Sequence, residues 1–139
     1  MTIDVESALV AKLAGNVGVA AIVSTRIHPL RIPQDANGVV LLPAITYQEI
    51  SAPITSTHDE TAANALTQSR FQINAWATTY AGAVALGKAI FDALEGFSGI
   101  VTSGLDTYTL QSVLRVDRRK DNDGETGLYW VIQDFMIWH

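Results

Sequence analysis

The sequence predicts an α+β domain, a mainly antiparallel sheet packed by helices, in the order α, β, long loop, β, α, β, β. Three observations predict it. Residues 68–77 alternate Phe71, Ile73 and Ala75 with Arg70, Gln72 and Asn74, the period of a strand. Residues 79–95 place Tyr80, Ala83, Val84, Gly87, Ile90, Phe91 and Leu94 on one stripe, the period of a helix. Residues 107–117 and 127–138 are long apolar-rich runs joined by a charged segment, which reads as an antiparallel hairpin. The 139 residues fit a single domain, 1–139, and with 48% hydrophobic content they can bury one core without disulfides or metals.

The elements follow in order. Residues 4–14 carry Val5, Ala8, Leu9 and Leu13 at helical spacing, with Thr2 or Asp4 able to cap the start and Gly15-Asn16 the stop. A short helical turn is expected over 18–25. Arg26-Ile27-His28-Pro29 leaves helical geometry, since the residue before a proline disfavours it. Pro29, Pro33, Gly38 and Pro43 make 30–43 a loop. Residues 44–51 read as a strand. Residues 51–67 have no apolar period, and a connection this long inside a compact domain is functional or disordered. Thr78 or Thr79 can cap the strong helix, Gly82 and Gly87 inside it suggest close packing on a sheet, and Gly96 ends it. Gly96, Gly99 and Gly104 read as a helix stop and a flexible turn, and 118–126 as the solvated tip of the hairpin.

The last strand is apolar on both faces. Tyr129, Val131, Phe135 and Ile137 lie on one side, and Leu128, Trp130, Ile132, Met136 and Trp138 on the other, with only Gln133 and Asp134 interrupting. A sheet covered on one side should show a polar outer face. Either a second internal layer such as the N-terminal helix covers the other side, or that side meets another subunit.

The chain carries no chemistry that the pattern reveals. It has no cysteine, which removes thiol nucleophiles, disulfides and cysteine metal sites. Nucleophile-elbow, phosphate-loop and dinucleotide motifs are absent. His28, His58 and His139 lack ligand spacing. If Gly124 were the sixth position of a calcium loop, Arg119 and Trp130 would fall on ligand positions, so that reading fails. No enzyme activity, cofactor or metal is expected. The net charge of −5 argues against nucleic acid as a primary ligand, and Arg118-Arg119-Lys120 is nearly cancelled by Asp117, Asp121, Asp123 and Glu125. The acidic start and the short apolar stretch 17–23 give no signal peptide or membrane span, so a soluble protein made in the bacterial cytoplasm is expected.

Three segments together resemble the tail completion, or tail terminator, family of long-tailed phages. They are Arg26-Ile27-His28-Pro29 with Leu42-Pro43-Ala44-Ile45-Thr46-Tyr47-Gln48; Gln68 to Ala77 (QSRFQINAWA) followed by Thr79-Tyr80-Ala81; and Glu125-Thr126-Gly127-Leu128-Tyr129-Trp130 ending in Gln133-Asp134-Phe135-Met136-Ile137-Trp138-His139. The resemblance implies a structural subunit of the virion tail or neck, with no catalytic residues. It implies a hexameric ring of this chain that caps the head-proximal end of the tail tube and joins it to the head connector. The partners would be further copies of the chain, the tail tube protein and the connector protein, with DNA passing through unread and no membrane involved. Another neck, connector or tube subunit, or a small bacterial ligand-binding α+β domain, is the alternative. The candidate interface comprises Trp130, Ile132, Phe135, Met136 and Trp138 of the last strand, His58, Asp59 and Glu60 of the long loop, and Arg118 and Arg119 of the hairpin tip.

Overall fold

The structure, a computed structural model, describes residues 4–52, 54–55, 66–122 and 124–139. Its elements run α1 Val5–Ala14, α2 Val17–Val23, β1 Ile27–Pro29, β2 Ala44–Ser51, β3 Ile54–Thr55, β4 Leu66–Ala77, α3 Tyr80–Leu94, β5 Gly99–Ser103, β6 Asp106–Leu110, β7 Ser112–Asn122 and β8 Tyr129–Trp138. The main sheet has the order β1-β2-β4-β8-β7, with β3 pairing on β4. All neighbours are antiparallel except β1 on β2. The α+β class, with a mainly antiparallel sheet packed by helices, holds.

Local chemistry sets the helix ends. Asp4 caps α1 by accepting from the Ser7 amide at 2.8 Å, which settles the cap between Thr2 and Asp4. Asn16 caps α2, so the second helix opens on Val17 directly after the first. Thr79 caps α3, and Gly96 takes a positive φ just past its end. Gly87 sits where α3 crosses β8: a Cβ there would lie 3.0 Å from Val131 Cγ1. That closeness is why the helix tolerates glycine at mid-length.

One core joins the odd-numbered faces of the central strands to the three helices. Phe71, Ile73 and Ala75 of β4, Val131, Phe135 and Ile137 of β8, and Ile45 of β2 are fully or almost fully buried against Leu9, Leu13, Val19, Leu86, Ile90 and Leu94. Helix α1 thus lies on the same side as α3, not on the far side of the sheet.

The structure corrects the C-terminal half in two places. The expected strand 107–117 is two strands. β6 pairs with β5 in a separate two-stranded hairpin that turns at Gly104 (φ +64°), and the chain passes through Gln111 into β7 at the edge of the main sheet. The expected glycine-rich turn is therefore a hairpin, which buries Val101 and Leu110 against the core and packs on α1. The expected hairpin tip 118–126 is largely strand. β7 runs to Asn122, with Arg118 through Asn122 paired to Gln133 through Tyr129, and the turn is confined to the residues after it. A run of charges is compatible with a strand when that strand is an exposed edge, where charge also discourages unwanted pairing. The loop expected over 51–67 is shortened by β3 and by the start of β4 at Leu66.

His139 ties the end of β8 to its surroundings. Its backbone exchanges two hydrogen bonds with Thr67, while its ring contacts Ser69 Oγ at 2.7 Å and the Tyr108 hydroxyl at 2.6 Å. Burial pushes the imidazole pKa below its ordinary value, with Glu49 pulling weakly the other way. A histidine whose folded pKa lies below the unfolded one contributes its stability in full above the ordinary imidazole range. That contribution is lost as pH falls through the range, because the unfolded chain takes the proton first. Thermal melts between about pH 7 and pH 5 should show declining stability, and His139→Phe should flatten the slope. An equally steep slope in that variant would reject the assignment.

Candidate interaction surface

Cross-strand register determines what faces away from the helices. On β8 the outward residues are Trp130, Ile132, Asp134, Met136 and Trp138, and their partners on β4 are Trp76, Asn74, Gln72, Arg70 and Gln68. On β7 the partners are Asp121, Arg119, Asp117, Leu114 and Ser112. Among the described residues no helix packs on this face: α3 meets β4, β7 and β8 from the core side, and α1 and α2 pack with α3. Trp130, Ile132, Met136 and Trp138 are left half-buried, and Leu114 is 46% exposed.

The face is apolar at its two ends and charged in the middle. At one end Trp76 and Trp130 stack at 4.6 Å between ring centroids, and Ile132 adjoins Trp130 by alternation. The Trp76 indole donates to Thr46 Oγ1 at 2.9 Å, and the Asn74 amide donates to the same oxygen at 3.2 Å, which pins that end. At the other end lie Leu114, Met136 and Trp138. Between them Arg70 donates to Asp134 Oδ2 at 2.7 Å, with the two side chains 38% and 6% exposed. Arg70 Nε and Asp134 Oδ1 are buried and have no partner among the described residues. Buried polar atoms are nearly always paired.

The sequence-predicted residues divide accordingly. Trp130, Ile132, Met136 and Trp138 come together on the open face. Phe135 does not: it alternates to the core side and is fully buried, so it is a core residue and not a contact surface. Arg118 and Arg119, adjacent in sequence, separate. Arg119 pairs with Ile132 and shares the open face with Asp117, at 3.4 Å, whereas Arg118 pairs with Gln133 and faces α3. His58, Asp59 and Glu60 lie outside the described residues.

Sequence reasoning missed Trp76, Arg70 and Leu114 as members of this surface. A signal was available for Trp76: among the outward positions of β4 that pair with β8, from Gln68 to Trp76, it is the one large apolar residue. Arg70 and Asp134 are 64 residues apart, and no local pattern links them. No group of side chains suited to a metal occurs among the described residues.

A chain from the virion of a native gene transfer agent particle has the same fold, with a TM-score of 0.73 and 18% identity over 96% of this chain and 92% of that one. No curated protein sequence matches. The family model of the tail completion protein gp17 matches residues 7–139. With all but its first six residues matched, the chain belongs to the tail completion protein gp17 family and is a structural protein of the phage tail.

Proposed function

We propose that this protein is a tail terminator. Copies close into a sixfold ring on the head-proximal end of the tail tube, stop its growth, and offer a surface to the head connector. The observation that carries the reading is the outward face of β4, β8 and β7, where three tryptophans, Ile132 and Met136 stand without a covering element among the described residues. Apolar surface of this kind on a soluble protein is a contact surface. The residue types that meet here, Trp, Met and Arg, are those enriched at protein–protein interfaces. The sheet edges at β7 beyond Arg115 and at the far end of β2 supply further backbone without a strand partner among the described residues. The acidic balance suits a ring through which DNA passes unread. Family membership displaces the alternative of a small ligand-binding domain.

Light scattering over a concentration series with negative-stain imaging tests the reading. Closed sixfold rings are expected. Open filaments would make the chain a tube subunit instead. Ile132→Asp with Met136→Asp should block head–tail joining in an assembly assay at a cost of about 2 kcal/mol in folding stability, since both residues are half-buried and aspartate is a poor strand former. A thermal melt checks that the variant is folded. Joining at the wild-type level in that folded variant would remove the open face from the function.

A further inference from the structure

The helix side of the edge strand β7 carries a second feature. Between α3 and β7 runs a groove of about 270 Å³ whose floor is Val84, Gly87, Phe91 and Val131. Lys88, Arg115, Arg118 and Lys120 rim it. These are four of the chain's nine Lys and Arg residues, gathered in one place on a protein of net charge −5. The alternation that separates Arg118 from Arg119 puts Arg118 and Lys120 on the groove side, opposite Gln133 and Val131. Lys88 pairs with Asp92, and Glu95 accepts from the Arg115 amide, so two carboxylates offset part of the charge. Arg118 and Lys120 form no ion pair among the described residues, and Arg115 lies over Phe91, 4.1 Å from the ring centroid.

An oppositely charged surface lies at the other edge of the sheet. β1 covers β2 only at Ile45 to Tyr47, so β2 beyond that point is an edge. Glu49 stands there on the helix side, paired in register with Phe71. Asp4 and Glu6 of the first turn of α1 line a shallow pocket with Tyr47, which neighbours Glu49 on the same face of β2. Burial first, and then the charges of Asp4 and Glu49, push the Glu6 carboxyl above the ordinary range. None of the three forms an ion pair among the described residues.

We infer that the basic groove between α3 and β7 of one copy receives the acidic shoulder of Asp4, Glu6 and Glu49 from the next copy. The occupant is a second copy because the chain itself supplies the complementary charge, and supplies it at the opposite edge of the same sheet. Two different patches at opposite edges make a heterologous contact, the kind that propagates head to tail and closes into a ring. The inference rests on the ring reading and specifies one of its contacts. The charges fix register and partner choice, while the apolar floor of the groove supplies burial.

Charge reversal tests it. The groove variant is Arg118→Glu with Lys120→Glu, and the shoulder variant is Glu6→Lys with Glu49→Lys; Asp4 is left alone because it caps α1. Each variant alone presents like charges at the contact, and its self-association in low salt should weaken about tenfold or more. An equimolar mixture restores opposite charges at every contact, in alternating order, and should recover assembly by light scattering. Wild-type association should weaken as salt rises. Thermal melts verify that each variant is folded. Assembly of either variant at wild-type strength, or a mixture of folded variants that stays dissociated, overturns the contact while leaving ring formation standing. A wild-type chain that stays monomeric at high concentration and low salt overturns the contact together with the ring reading on which it rests.

Discussion

Phe135→Ala is expected to destabilise the protein by about 4 kcal/mol, because deleting a fully buried aromatic ring removes its transfer energy and leaves a cavity. Phe135 pairs in register with Phe71, also fully buried, on the face that α3 covers, so the surroundings have little freedom to collapse into the space. The neighbouring substitution Met136→Ala removes a side chain of similar size from the open face and should cost about 1 kcal/mol or less. Guanidinium unfolding curves measure both. A loss on Phe135→Ala no larger than that on Met136→Ala would mean that the faces of β8 are assigned the wrong way round. The contrast also separates folding from assembly at adjacent positions: Phe135 should act on stability and Met136 on contact with a partner.

The second large effect concerns the ion pair at the centre of the open face. Arg70→Ala should cost about 3 kcal/mol, since it strands a carboxylate that is almost wholly buried and already has one unpartnered oxygen. Asp134→Ala should cost less, about 1–2 kcal/mol, because the arginine side chain is 38% exposed and can recover water. Replacing both with apolar residues, Arg70→Met with Asp134→Leu, should return stability to within about 1 kcal/mol of wild type. A double-mutant cycle on unfolding free energies reads the coupling directly. Equal costs for the two single substitutions, or strict additivity, would show that the pair is solvated and not a buried bridge. The pair also gives the open face a charged centre, so a partner that covers it must offer polar groups there.

Much of the fold was legible because its signals are local. The odd positions of β4 and the capping residues Asp4 and Thr79 depend on residues a few places apart, and the structure has them where the local pattern allows. The buried stripe of α3 is rotated from the expected one: Leu86 and Ala93 are buried beside Ala83, Gly87, Ile90 and Leu94, while Tyr80 is exposed and Val84 and Phe91 are half-buried on the flank toward β7. The β5–β6 hairpin was not legible. Its strands lie between glycines that also suit a flexible turn, and its pairing partners are each other and not the main sheet. The strand character of residues 118–122 was hidden for a related reason: charge suggests a loop, and only pairing with the apolar β8 holds that segment extended.

The candidate surface divides in the same way. The sequence by itself determined that β8 is apolar on both faces, and that the chain, having no cysteine, has no thiol chemistry. Which face the helices take was decided by tertiary structure, because two apolar faces of one strand are equivalent until α3 packs on one of them. That choice placed Phe135 in the core and left Trp130, Ile132, Met136 and Trp138 outside. It also sent Arg118 and Arg119 to opposite sides, since successive residues of a strand alternate and the register shift between Arg115 and Asp117 sets which one faces α3. Arg70 and Asp134 meet only through strand pairing, which joins residues distant in the chain and leaves no trace in local pattern.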